Sequence, residues 1–158
     1  MEITYEDNHV IVVNKPAGIA VQAAVVGEED LFLAVKKFIK ERDNKPGNVF
    51  LGMVHRIDRP VSGLVMFAKT SKGASRLSEQ MRDGNIDKQY EAVVHGEMKN
   101  KKGRLENYLI KVKHNNGYKA IVTDGNNGDK STLEYNVLDS KGGYSKLQID
   151  LETGRFHQ

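Results

Sequence analysis

The stretch that most constrains this chain is residues 55–69, His55-Arg56-Ile57-Asp58-Arg59-Pro60-Val61-Ser62-Gly63-Leu64-Val65-Met66-Phe67-Ala68-Lys69. Its second half, residues 64–68, is an unbroken apolar run. A run that short suits a strand covered on both faces, although periodicity alone does not separate it from a turn of buried helix. Its first half has the opposite character: two basic residues, an acid, another base, then Pro, Ser and Gly. Pro60 fixes φ and removes a backbone donor, and Gly63 admits backbone angles closed to other residues. A charged turn therefore feeds directly into a core strand, and polar side chains at the end of a rigid element are where chemistry is usually placed. Taken alone, an Asp between two Arg residues reads most simply as a local surface ion pair.

Length and composition bound the rest. A chain of 158 residues has room for one domain or most of one, and 39% hydrophobic residues suffice for a core. No apolar run is long enough to span a membrane, and the acidic start carries no hydrophobic signal segment. With no cysteine there is neither a disulfide nor a thiolate metal site, which is compatible with a reducing cytoplasm. A net charge of +3 permits a polyanionic partner without demanding one. There is no internal repeat and no low-complexity tract.

In chain order, residues 9–14 read as a strand ended by Lys15-Pro16-Ala17-Gly18. Residues 30–42 read as a helix with Leu31, Val35, Phe38 and Ile39 on one face. Acids lead it and bases close it, as the helix dipole favours, and Lys36, Lys37, Lys40 and Arg42 read most simply as its solvated face, with attraction of a polyanion as the alternative. A strand over 49–54 leads into the central stretch. Ser71 suits an N-cap, Ala74, Leu77 and Met81 recur at helical spacing, and Gly84 suits a stop. A strand over 88–96 and a basic turn over 99–104 follow. Further strands are expected at 105–112, 118–123, 133–138 and 146–151, with a loop at 125–128. The last two alternate clearly, and Ser140-Lys141-Gly142-Gly143 between them is a hairpin signal. The pattern predicts an α+β fold: a mixed, mainly antiparallel sheet with two flanking helices.

His55-Arg56-Ile57-Asp58, then Ser62-Gly63-Leu64 and an apolar strand ending Ala68-Lys69, resembles the catalytic motif of the RluA-type pseudouridine synthases, H-R-[LI]-D-x-x-T-S-G-L. Val61 stands where that family usually has Thr. Protein kinases also carry His-Arg-Asp, but here Ile57 intervenes, no Gly-rich loop precedes it and no Asp-Phe-Gly follows. Lys15-Pro16-Ala17-Gly18-Ile19-Ala20-Val21 resembles the family's opening block, with Gln22 where His is frequent. Lys88-Gln89-Tyr90-Glu91-Ala92-Val93-Val94-His95-Gly96 resembles its third block. Leu151-Glu152-Thr153-Gly154-Arg155-Phe156-His157-Gln158 resembles its last, and the chain stops inside that block. The four blocks occur in the family's order and cover essentially the whole chain.

The resemblance implies the pseudouridine synthase fold and an isomerase that converts specific uridines of rRNA or tRNA to pseudouridine. It makes Asp58 the catalytic residue and Arg155 its charge partner, a guanidinium able to hold both carboxylate oxygens. It lays Tyr90, which alone would read as core packing, against the target base. Arg56 suits the space left by a flipped base, because a planar guanidinium stacks and hydrogen-bonds at once. An isomerisation consumes nothing, so no cofactor and no metal are expected. A monomer in the cytoplasm acting on structured RNA, with no membrane association, is the accompanying expectation. Lys15, Arg56, Arg59 and residues 99–104 are candidate phosphate contacts, giving a salt dependence set by a few local charges. The resemblance also implies a catalytic domain incomplete at its C-terminus, with no S4-type domain before it. Residues 156–158 should then fray and Arg155 be poorly ordered, with activity low until the natural C-terminal sequence is restored. Two other classes stand beside this: a non-catalytic RNA-binding relative or inactive fragment, and a hydrolase or metal enzyme using His55, Asp58 and His157. The second lacks both metal-ligand spacing and a hydrolase motif.

Overall fold

A computed structural model describes residues 1–23, 27–115, 117–125 and 127–158. The chain divides into two compact units, Met1–Asp83 and Gly84–Gln158.

The first unit holds a four-stranded antiparallel sheet in the order β1-β2-β4-β3, from β1 (Glu2–Glu6), β2 (Val10–Lys15), β3 (Gly52–Met53) and β4 (Gly63–Ala68). Strand β2 alternates strictly, with Ile11, Val13 and Lys15 pointing inward and fully buried. They lie opposite Phe67, Val65 and Gly63 of β4, so the two core strands are in register over their whole length. Helix α1 (Leu31–Arg42) covers this core with Leu31, Val35 and Ile39, and the Phe32 ring meets Phe67 edge-on at 6.0 Å. Asp30 caps α1, accepting from Leu33 N at 2.7 Å and from Ala23 N at 2.9 Å.

Helix α2 (Ser71–Arg82) is capped by Thr70, one residue before the expected Ser71. Thr70 has the extended backbone a cap requires, and its hydroxyl accepts from Gly73 N at 3.1 Å. The strand expected over 49–54 shrinks to Gly52–Met53, the two residues that pair with β4. Strand β4 is buried at Val65, Phe67 and Ala68 but leaves Leu64 exposed, so only one of its faces is fully covered. Strand β1, an edge strand with mostly exposed residues, carries no alternation that announces it.

The second unit is a five-stranded antiparallel sheet in the order β5-β9-β8-β6-β7. Its strands are β5 (Gln89–His95), β6 (Lys102–His114), β7 (Gly117–Thr123), β8 (Asp129–Lys141) and β9 (Tyr144–Leu151). Residues directly opposite share a face, so Tyr90, Ile149 and Tyr135 form one apolar row, and Ala92, Leu147 and Val137 another. The opposite face is charged, with Lys146–Glu91 at 2.8 Å and Lys130–Glu106 at 3.0 Å. Gly142 and Gly143 form the β8–β9 turn, both with positive φ (62° and 79°), which is what a two-residue hairpin loop of the primed type demands. The sequence pattern allowed one mixed sheet; the structure has two, and every described pairing is antiparallel. The loop expected at 125–128 includes Asn126, which lies outside the described residues. Among the described residues no helix is long and apolar enough to cross a membrane.

Candidate active site

The central stretch folds as a tight turn before β4. Val61 N donates to Asp58 O at 3.0 Å, closing the turn around Arg59 and Pro60. Ile57 is buried while Arg56 and Asp58, on either side of it, are exposed. One apolar anchor thus fixes the turn to the core and presents a guanidinium and a carboxylate outward from the positions that flank it.

A second loop braces this turn from the end of β2. Gly18, at φ +89°, donates from its N to Arg59 O at 2.8 Å, and Arg59 Nε donates back to Gly18 O at 3.0 Å. Arg59 also pairs with Glu28. Below them lies Lys15. The period-2 pattern of β2 turns it inward, and its ammonium donates to Pro16 O (3.0 Å), Ile19 O (2.7 Å) and Arg59 O (3.2 Å). Three carbonyls match the three donors of a charged ammonium. Burial pushes the Lys15 pKa below its ordinary value, and attraction to the Asp58 carboxylate opposes that shift. Lys15 is thus an interior cation attracted by Asp58, tied by hydrogen bonds to both loops.

His55 completes the support. Its Nε2 accepts from Met66 N at 3.0 Å, serving β4 just past Met53, where the two-residue β3 stops. An acceptor nitrogen requires neutral imidazole, and burial lowers the His55 pKa in that same sense.

These contacts revise the expected phosphate contacts. Lys15 is wholly buried and so is not offered to a polyanion, while Arg59 is engaged by Gly18 and Glu28 with its side chain still exposed. Residues 102–104 belong to β6 rather than to a turn, and Arg104 is held by Glu152 at 2.7 and 2.8 Å. Arg56 remains exposed on the Asp58 turn.

The other two expected site residues belong to the second unit. Tyr90 is half-buried on the apolar face of β5. Arg155 is exposed in the turn after β9, and its Nε donates to Lys130 O at 2.9 Å. At the chain end, where fraying is expected, the last residues carry hydrogen bonds. Gln158 accepts from Thr153 Oγ1 (2.9 Å) and Arg155 N (3.0 Å) and donates to Thr132 O (3.1 Å), which folds the last residues onto β8. Among the described residues no group of three or more His, Asp or Glu side chains is arranged to hold a metal ion.

The model of one protein family, RNA pseudouridylate synthase, matches residues 9–158. The chain belongs to that family. Among relatives, ribosomal large subunit pseudouridine synthase C of Buchnera aphidicola (subspecies Acyrthosiphon pisum) is 35% identical over 156 residues, spanning 99% of this chain and 48% of its own. Ribosomal large subunit pseudouridine synthase D of Zymomonas mobilis is 34% identical over 160 residues, spanning 100% of this chain and 50% of its own. The chain thus spans about half the length of these relatives. Among solved structures, human RNA pseudouridylate synthase domain containing 4 superposes with a TM-score of 0.80 at 20% identity, over 99% of this chain and 61% of that one. At that identity the likeness shows the shared α+β fold.

Proposed function

We propose that the protein isomerises uridine in RNA to pseudouridine, with Asp58 as the catalytic carboxylate. The observation that carries this is the construction of the Asp58 turn in a chain of this family. An exposed carboxylate sits on a turn fixed from below by Ile57 and braced by Lys15, Gly18 and Arg59. Such bracing holds a reacting group in one geometry.

The reaction breaks the N1–C1′ bond of uridine, turns the base and joins C5 to C1′. C5 loses its proton and N1 gains one, so atoms balance without a cofactor. Asp58 either attacks as a nucleophile or removes a proton. The uridine must first leave its stack, at a cost of a few kcal/mol. Arg56, exposed beside Asp58 on the same turn, fills the vacated place. Tyr90 and Arg155 contribute from the second unit, Tyr90 against the base and Arg155 as a substrate-binding guanidinium. The named relatives act on large-subunit ribosomal RNA, which makes rRNA the favoured substrate over tRNA.

The test is a map of pseudouridines in rRNA and tRNA from cells with and without the gene. Loss of specific sites in large-subunit rRNA is the expected result. Unchanged maps in both RNAs would contradict the proposal and favour a non-catalytic RNA-binding role.

A further inference from the structure

Strand β6 pairs with β8 only over Lys102–Leu109. Beyond Leu109 it continues to His114 with β7 alone beside it, so residues 110–114 and 117–121 form a two-stranded ribbon at the edge of the second unit's sheet. From Asn107 to Thr123 the sequence has no acid, while Lys111, Lys113, His114 and Lys119 fall in the ribbon. Among the described residues Lys113 and Lys119 form no ion pair. That contrasts with Arg104, Lys130 and Lys146 of the same sheet, all of which have carboxylate partners.

The ribbon also carries rings. The register puts Tyr118 opposite Lys113 and next to Lys111, on the face that bears Tyr90. The Lys111 ammonium lies between two rings, 4.2 Å from the Tyr118 centroid and 4.6 Å from that of Phe156. Phe156 in turn stacks on His157, centroids 3.8 Å apart and planes at 17°. Beside this group a hollow of about 330 Å³ opens on the same face, lined by Leu109, Ala120, Val122 and His157 among others. Tyr118 is 55% exposed, a large area for a ring that could have been buried in a core.

Cations without carboxylate partners, interleaved with exposed rings, are the combination that holds single-stranded nucleic acid: phosphates on the charges, bases on the ring faces. We infer that this ribbon is a second RNA contact, gripping an unpaired segment away from the reacting uridine. Lys113, on the Tyr118 face, takes a phosphate, and Tyr118, set by Lys111, stacks a base, while Lys119, opposite Val112, lies on the other face. The inference rests on the RNA reading above and deepens it.

The test is fluorescence anisotropy of a short labelled oligouridylate titrated with the protein across a range of salt. A Lys113→Gln variant should bind more weakly and reduce the slope of log affinity against log salt by about 0.7, the contribution of one single-strand phosphate contact. Tyr118→Ala should weaken single-strand binding about tenfold at unchanged slope. A Lys36→Gln/Lys37→Gln control on α1 should alter neither. Ribbon variants that bind like the parent would overturn the inference, as would a parent that binds no oligouridylate yet supports pseudouridine formation in the maps. Binding that responds to the ribbon variants while the maps stay unchanged would uphold the contact and remove the catalytic reading instead.

Discussion

The Asp58 turn and the β6–β7 ribbon are both rich in basic residues, and the chain uses that charge in opposite ways. Around Asp58 two cations, Lys15 and Arg59, are engaged by the protein itself, while Arg56 is exposed. Lys15 donates to three carbonyls, and Arg59 is held by Gly18 and Glu28. In the ribbon Lys113 and Lys119 form no ion pair among the described residues, and only one neighbouring strand holds them. Charge bonded to the scaffold fixes geometry; charge left to solvent attracts a polyanion and moves with it. A reacting carboxylate needs the first and an RNA grip needs the second, so counting basic residues says little until their partners are known.

The sharpest way to break this contrast is to make the same substitution in both places. Lys15→Met leaves three inward carbonyls without their donor and should destabilise the protein by about 3 kcal/mol. Turnover should fall more than RNA affinity, because the turn that carries Asp58 loses its brace. Lys113→Met should leave stability unchanged within about 0.5 kcal/mol while weakening RNA binding. Urea melts and binding titrations of the two variants check both halves, and equal stability losses would erase the distinction.

A smaller effect sits at the far end of the same unit. Glu6 receives two hydrogen bonds from Arg42, at 2.6 and 2.9 Å, which with help from Lys69 hold its carboxyl at about 2, below its ordinary value. Because the folded value lies under the unfolded one, this stabilisation is present above the ordinary carboxyl range and is lost as pH falls toward 2. Glu6→Gln should therefore cost about 2 kcal/mol at neutral pH, after allowance for the partly exposed Arg42. It should cost almost nothing near pH 2. Thermal melts across that range read the convergence directly.

The smallest effect concerns His55. His55→Ala leaves Met66 N without its acceptor and should cost about 1 kcal/mol. Burial holds the folded imidazole below its ordinary value of 6.5, so its contribution is present above that value and declines as pH falls below it. The parent should lose stability over that fall in pH by more than the variant does. Parallel stability curves would show that His55 does not set the entry into β4.

Much of the first unit was legible because its signals are local. Pro60, Gly63 and the following apolar run mark a turn entering a strand, and α1 shows its buried face in Leu31, Val35 and Ile39. Lys15 was misread for a physical reason. Its place on the inward face follows from Ile11 and Val13, but lysines are rarely buried, so a charge beside a turn reads as a ligand contact. The three carbonyls that make its burial tolerable come from Pro16, Ile19 and the distant Arg59, and no spacing reveals the last. The bracing of Arg59 by Glu28 is likewise 31 residues away. Gln158 could not be seen as an anchor because its partners Thr132 and Thr153 come together only once β8 and β9 pair. The ribbon was half visible: the strands on either side of residues 113–117 could be read, but the stacking of Tyr118, Lys111 and Phe156 depends on register and on where the chain turns after β9.

The most direct test of the central claim is tritium release from RNA carrying 5-tritiated uridine, measured for the protein and for Asp58→Asn at equal concentration. Replacement of C5–H by C5–C1′ releases the label once per isomerisation. The account predicts release by the parent and none measurable from the variant. The variant's RNA affinity should stay within about tenfold of the parent's, or roughly 1.4 kcal/mol. Comparable release from the two proteins would contradict it.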